Sequence, residues 1–474
     1  MRGRPASPVL GTGPAPLRRV RGDGPVPVPL VEAGKATDVV VHVGPLSPGG
    51  RPAVAARAHR LGQGQVLSAE SSQALAAAAD LARACRLPLV LSLSSSGSDL
   101  VGGVAALDGW GRLAATLSHC SGLVPVVVVV DGPVLSGPAL LLGLADAVVM
   151  TSHALVYVSG PAAVAELTGS AVRPAQLGSA HVHAGRSGLA TLVARGTPQA
   201  DRLVESFLSF LPAHCDELPP AYLSADPVTR GTPELRDLVP ARATGSYDVR
   251  RVIASVADEG HFLELRPGWA PQLVTAFARV GGHPVGVLAN QPQAMSGTLD
   301  IAASQKGARF VAMCDAFNVA LLTMVDTSGF MPGRDLEWRG IIRHGAELVF
   351  AYAEATVPRV CLVLRKAYGG AYIVMDSKAM GNDLCIAWPS AELAVMGAEG
   401  AVSIIHRRAD GEAKAKLVEE YRQEYLNPYV AAGRGYVDLV IDPADTRRTV
   451  ARAFTALRTK REKLVRRKHG NSPL

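Results

Sequence analysis

Two short stretches of this chain could support chemistry without a reactive side chain. Residues 365 to 375 read RKAYGGAYIVM and follow a β-branched apolar run, Val357 to Leu364; residues 131 to 143 read DGPVLSGPALLLG and follow the apolar run Val124 to Val130. Each run reads as a buried strand that ends in a glycine-containing turn, Gly369-Gly370 or Ser136-Gly137, and then opens a helix. The first N–H groups of a helix have no acceptor inside it, so they are free to meet developing negative charge. About forty residues before each turn another strand ends in a glycine turn, SSSGSDL at Gly97 and DTSGFMPG at Gly329. Two such turns side by side would aim two donors at one point and form an oxyanion hole, in which one donor can be worth roughly 3 to 4 kcal/mol of transition-state stabilisation. No cluster of acids, thiols or metal ligands accompanies them, and no metal is expected.

The elements that must position these turns repeat. Pro125 with its strand leads to Ser136-Gly137 and Pro358 with its strand leads to Gly369-Gly370; 358 minus 125 and 370 minus 137 both give 233. Upstream, Ser96-Gly97 and Ser328-Gly329 are 232 apart, and downstream DAVVMTSHALVYVSGPAAV from Asp146 parallels DLCIAWPSAELAVMGAEGAV from Asp383, 237 apart. Nearly constant offsets with the slippage in loops indicate two copies of one fold. Strands alternating with helices make it α/β: VVVHV near Val39, a helix over Ser71–Cys85, strands over Leu87–Leu93 and Val124–Val130, then His261–Leu265, a helix from Ala270, the strand PVGVLAN, a helix through Cys314 and a strand over Val319–Val325. A final helix is expected from about Pro443 to Arg467, its basic end suited to the helix dipole.

A length of 474 residues favours two or three domains. The expected divisions are a disordered Pro-, Gly- and Arg-rich leader over 1–30, one copy over 31–211, a proline-rich linker over 212–248 and a second copy over 249–474 with a basic C-terminal helix and tail. With 48% hydrophobic and 19% charged residues the body is globular rather than disordered. Its longest apolar runs stop after about eight residues, short of the roughly 18 to 20 that span a bilayer, so no membrane segment is expected. The six cysteines have no CxxC or zinc-finger spacing and read as buried thiols of a reducing cytoplasm. A good part of the net charge of +7 comes from the two ends, which argues only weakly for nucleic acid and would equally suit an anionic partner or substrate; the basic C-terminal run reads as a solvated helix face or a subunit-docking element, and no nucleic acid is expected.

The segment from Phe262 to Arg408, with ANQP, LDIAASQKGARFVAMCDAFN, DTSGFMPG, GIIRHGAELVFAYAEATVP, RKAYGGAY and AWPSAELAVMGAEGA, closely resembles the C-terminal half of the carboxyltransferase β subunit of biotin-dependent acyl-CoA carboxylases, of the propionyl-CoA carboxylase type. The linker phrases LPPAYLSADP and PELRDLVP and the tail KHGNSPL look like the same family. The resemblance implies two tandem crotonase-like (ClpP/crotonase) domains, a trimer of dimers, and transfer of carboxylate from carboxybiotin, presented by a biotin carboxylase/biotin-carrier α subunit, to the α-carbon of an acyl-CoA. No cofactor would be bound in this chain itself. By the same resemblance Gly370 and Ala371, facing Gly329 and Phe330, would stabilise the biotin ureido oxygen. Gly97 and Ser98 with Ser136 and Gly137, from the N-terminal copy of a neighbouring subunit, would hold the thioester enolate. Gly369, Tyr372 and Ile373 would border the substrate pocket, with Ile373 standing where many relatives carry Asp.

The N-terminal copy departs from the family pattern. SSGSDLVGG replaces the usual SGGARIQEG, which puts Asp99 where an arginine is usual, and GPVLSGP replaces GPCAGGA, which puts Pro138, without an N–H, just after the turn. Two other readings therefore stand beside an active carboxyltransferase: a non-catalytic or regulatory paralogue in a mixed carboxylase complex, and an acyl-CoA decarboxylase using the same holes in reverse. His344, amid Ile341, Ile342 and Ala346, reads as a structural hydrogen-bonding histidine, and His181 and His183, with no carboxylate or Cys beside them, as turn residues.

Overall fold

The structure is a computed structural model that describes residues 39–58, 66–97, 99–240, 245–460 and 462–473. The leader expected over 1–30 and the candidate donor Ser98 lie outside the described residues. Valine-rich runs too apolar to face water on either side become the central parallel strands of two sheets. The first sheet contains β1 (Val39–Pro45), β2 (Pro52–Ala58), β3 (Leu89–Ser95), β4 (Val126–Leu135), β5 (Ala147–Thr151), β6 (Leu155–Tyr157) and β7 (Leu192–Ala194). Its order is β1-β2-β3-β4-β5-β7, with β6 against the far end of β4.

The second sheet contains β8 (Phe262–Leu265), β9 (Leu273–Val280), β10 (His283–Asn290), β11 (Ala320–Thr327), β12 (Arg359–Tyr368), β13 (Leu384–Ala387), β14 (Glu392–Ala394) and β15 (Leu439–Val440), in the order β15-β13-β12-β11-β10-β9-β8 with β14 on the far end of β12. The two sheets share one plan. An antiparallel pair, β1/β2 or β9/β10, leads into parallel strands, and the register slips at the same place, between Leu93 and Ser95 and between Val325 and Thr327. Helices α1 (Ala69–Cys85) and α2 (Val104–Cys120) cover the first sheet, and α3 (Ile301–Ala316) and α4 (Ile341–Glu354) the second; α5 (Gly369–Val374) follows β12 and α6 (Thr446–Leu457) closes the fold.

One core runs through both halves. Val127, Val129 and Val149 belong to the same buried cluster as Leu288, Phe310 and Val363. Phe277 stands between Phe207 at 5.8 Å and Phe310 at 5.4 Å, ring centre to ring centre, and stacks on Phe210 at 5.4 Å. Buried aromatics bring large apolar area to a contact, so this quartet is a substantial part of the seam between the halves. The proline-rich strap is anchored too: the Arg279 guanidinium lies over both Phe210 and Tyr222, and the buried Arg447 bonds Asp258 at 2.7 Å and the Asp226 carbonyl at 3.2 Å.

Three expectations are corrected. The stretch after Ala270 is strand β9, because LVTAFARV pairs antiparallel with neighbours on both sides and is buried along nearly all its length. The last helix ends at Leu457 rather than Arg467. Its apolar stripe, Val450, Phe454 and Leu457, stops there, and closely spaced like charges beyond it disfavour another turn. Lys460 and Arg467 instead pair with Asp383 and Glu354. Finally, Cys85 is exposed and Cys215 half-buried, whereas Cys120, Cys314, Cys361 and Cys385 are buried as expected. Among the described residues, no helix is long and apolar enough to cross a membrane.

Candidate active site

The two glycine turns of each half lie at the ends of its adjacent central strands. In the first half Ser95, the last residue of β3, donates its hydroxyl to the Gly97 carbonyl at 2.8 Å, and that carbonyl also accepts from Leu67 N–H at 3.3 Å. In the second half Thr327, the last residue of β11, does the same to Gly329 at 3.4 Å, and Leu299 N–H donates to that carbonyl at 3.1 Å. All three residues are shifted by 232. Gly97 and Gly329 sit at φ +137° and +134°, a region that favours glycine, so the two glycines take the same special backbone angle.

The turns after β4 and β12 match as closely. Ser136 has φ +64° and Gly369 φ +61°, 233 residues apart. A Cβ placed on Gly97 would stand 4.0 Å from Ser136 Cβ, and one on Gly370 would stand 3.8 Å from the Phe330 ring, so in each half the two turns adjoin. Phe330 itself pairs with Leu299 by a parallel bridge. The structure thus brings together Gly97 with Ser136 and Gly329-Phe330 with Gly370, as the repeat requires.

The register also corrects the first half. Ser136 corresponds to Gly369, Gly137 to Gly370 and Pro138 to Ala371. The Ser136 N–H is already bonded to the Tyr157 carbonyl at 3.0 Å, because β4 continues pairing with β6 up to that point. It therefore has no N–H to offer a substrate. Pro138 has none at all, so the turn after β4 presents Gly137 alone. Trp110 of α2 lies on that glycine, with indole atoms 3.2 Å from where a Cβ would be. Asp99 accepts from Val101 N–H at 3.0 Å and so closes its own turn.

The strand ends of the second half are braced by buried charge. Arg365 on β12 pairs with Asp326 on β11 at 3.1 Å, Tyr247 donates to the same carboxylate at 2.8 Å, and Lys366 N–H donates to its other oxygen at 3.1 Å. Arg365 also donates to the Gly245 carbonyl at 2.8 Å. Burial pushes the Asp326 carboxyl up, and Arg365 and the hydrogen bonds oppose it. The sequence alone does not reveal this network; an Arg directly after an apolar run on one strand and an Asp near the end of its neighbour are the available signal.

Beside the second-half turns lies a cavity of about 520 Å³, lined mainly by apolar residues that include Phe330, Pro332, Ile341, Ile342, Gly345 and Val374. Gly369, Tyr372 and Ile373 are not among its lining residues. Tyr372 instead packs against the core, where burial raises its phenol, and Ile373 is 40% exposed on the outer side. Exposed apolar side chains flank both sets of turns: Leu100, Val101 and Val104 in the first half, Trp338, Ile342 and Val395 in the second.

The histidines take structural positions. His344 bonds Glu347 at 2.7 Å and Gln305 at 3.2 Å, and His183 is held between Ser187 and the Val156 carbonyl. Among the described residues His214, Cys215 and Asp216 bring ligand atoms within 4.8 Å of one another, but the Arg86 guanidinium bonds both His214 and Asp216 and occupies the place of a cation.

Residues 39–472 match the family model described as carboxyl transferase domain. The chain is 45% identical over 392 residues to the methylmalonyl-CoA carboxyltransferase 12S subunit of Propionibacterium freudenreichii subsp. shermanii, covering 81% of this chain and 75% of that one. It is 45% identical over 416 residues to the propionyl-CoA carboxylase beta chain of Saccharopolyspora erythraea, covering 83% and 76%. Among solved structures, the transcarboxylase 12S hexamer with methylmalonyl-coenzyme A bound superposes with a TM-score of 0.89 at 42% identity, over 92% of this chain and 85% of that one.

Proposed function

The chain belongs to the carboxyl transferase family, and from that premise we propose that it is the carboxyltransferase subunit of a biotin-dependent acyl-CoA carboxylase. The observation that carries this reading is the duplicated pair of adjoining turns, matched in φ and in carbonyl partners, one pair per half. Carboxybiotin, brought by a biotin carboxylase/biotin-carrier subunit, supplies the carboxyl group and, once unloaded, a base for the acyl α-proton. Gly370 and Ala371, opposite Gly329 and Phe330, donate N–H groups to the ureido oxygen as negative charge develops there, and the apolar cavity beside Phe330 has the size and lining for a flat bicyclic urea. Gly137, with the Gly97–Ser98 turn, receives the enolate oxygen of the acyl-CoA. Ser136 leaves this set because its N–H is engaged, and the N–H groups of Gly97 and Gly329 are held by the strand-end hydroxyls of Ser95 at 3.3 Å and Thr327 at 3.4 Å, so those two turns offer the N–H of the residue that follows the glycine.

Enolate and carboxyl donor must meet, so we assign the first half (31–211) of one chain to face the second half (249–474) of another, with 212–248 as the strap. The apolar residues around both sets of turns suit burial between copies. A trimer of such dimers would give the hexamer that the 12S relative forms, and the expected location is the cytoplasm.

Labelled bicarbonate tests the reading. With ATP, the biotin-carrying partner and a series of acyl-CoAs, label should enter an α-carboxylated acyl-CoA, and leaving out the partner should abolish it. A complete system that labels no acyl-CoA of any chain length would refute it.

A further inference from the structure

The helix that carries the proposed biotin-side donors is too short to hold its own direction. Gly369–Val374 spans six residues, and isolated helices of that length do not persist, so its orientation is imposed from its ends. Its beginning is fixed by β12. Its end turns through Met375 to Asp376, at φ +58°, which places the Asp376 side chain back on Arg359, the first residue of that same strand.

The contact is a fully enclosed arginine–carboxyl pair. Arg359 Nη1 donates to Asp376 Oδ1 at 2.6 Å, with the two side chains 4% and 0% exposed. Arg359 Nη2 donates to the carbonyls of Gly381 at 2.7 Å and Met380 at 3.1 Å, and Asn382 donates to the Asp376 carbonyl at 2.6 Å. Strand, donor helix and the following turn are thereby closed into one loop stapled at its base. Resting on the reading of Gly370 and Ala371 as donors, we propose that Arg359 and Asp376 are a positioning pair that fixes the direction of those two N–H groups. The first half has no counterpart: the residue equivalent to Arg359 is Val126.

Around the pair, Arg359 Nε, Asp376 Oδ2, Ser377 Oγ and Asn382 Oδ1 are buried without a hydrogen-bond partner among the described residues. Burial raises the Asp376 carboxyl to about 7, against the pull of Arg359; the other ionisable groups acting on it are Asp383, which raises it, and Lys460, which lowers it, while Tyr352 and Cys361 stand close enough for its charge to raise both. The closed staple therefore holds a proton that an opened one releases between the ordinary carboxyl value of 3.8 and about 7. Opening becomes easier as pH rises across that window and levels off above it.

Amide hydrogen exchange on the intact protein, read on peptides covering 369–376 and 320–327, tests this together with steady-state kinetics. In the wild type, the opening equilibrium of 369–376, after correction for intrinsic exchange, should grow with pH up to about 7. Asp376→Leu, which leaves the guanidinium unpaired, should abolish that slope, raise exchange in 369–376 and leave 320–327 unchanged. It should lower kcat about tenfold or more with the acyl-CoA KM within about twofold, and Asp376→Glu should recover most of the rate. An unchanged kcat, or exchange rising equally across both segments, would overturn the proposal. If Asp376→Leu does not fold, Asp376→Asn is read in the same way, and an unchanged kcat with unchanged exchange in 369–376 overturns the proposal. Absence of any transfer by the wild type would instead refute the donor reading, while the exchange data still judge the staple.

Discussion

The two halves carry the same turn on different supports. In the second half the strand ends are locked by Asp326, Arg365 and Tyr247, and the turn uses Gly369 at its positive φ and Ala371 with an N–H to give. In the first half the equivalent positions are Ser94 and Gly132, where a Cβ on Gly132 would come within 2.9 Å of Ser94 Oγ, the positive φ is taken by Ser136, and Pro138 replaces Ala371. The backbone path survives both solutions. What differs is the number of donors the turn can offer and how firmly they are held, so the biotin side is the more fixed of the two proposed holes.

Several substitutions sharpen or break that contrast. The largest effect should come from Arg365→Met, which strands the buried Asp326 carboxylate and should destabilise the protein by about 3–5 kcal/mol, read as a shift in denaturant midpoint. Ser94→Ala, at the first-half position equivalent to Asp326, should cost less than about 1 kcal/mol. Equal losses at the two positions would remove the claim that the Asp326–Arg365 pair braces the second half more firmly than Ser94 and Gly132 brace the first.

Next, Ala371→Pro gives the second turn the residue of the first. It should reduce kcat by about 10²–10³-fold, roughly 3–4 kcal/mol, with little change in KM. Pro138→Ala should change the rate less than about tenfold, because Gly137 already supplies that turn's donor. A large gain from Pro138→Ala would mean the first hole is incomplete as it stands and would favour a non-catalytic role for the natural chain.

The smallest effect concerns strain. Ser136 at φ +64°, ψ −148° occupies a region suited to glycine, so Ser136→Gly should stabilise the protein by about 1 kcal/mol and Gly369→Ser should destabilise it by a similar amount. Thermal unfolding midpoints of the two variants should therefore move in opposite directions. A destabilised Ser136→Gly would show that the serine side chain does something the backbone account omits.

Much of this was legible in the sequence for a physical reason. Parallel strands buried on both faces must be continuous apolar runs, so Val126–Val130 and Val360–Leu364 declare themselves, and insertions fall in the loops between them. The repeat offset then fixed which turns correspond. Misreadings occurred where a long-range partner decides. LVTAFARV is a strand because β8 and β10 flank it, and the Ser136 N–H is lost to β6, a three-residue strand too short to read as one. Arg359 and Asp376 are 17 residues apart with nothing between them that marks a pair; only the fold brings them together.

The central claim, that each site joins the first half of one chain to the second half of another, is tested most directly by complementation. Gly137→Pro and Ala371→Pro should each give an assembly that transfers little carboxylate. Refolded together as an equal mixture, they should regain about a quarter of wild-type activity, because half of the random dimers are mixed and each mixed dimer holds one site with both turns intact. A mixture no more active than its two parents, with mixed assemblies verified by mass spectrometry, would contradict the account.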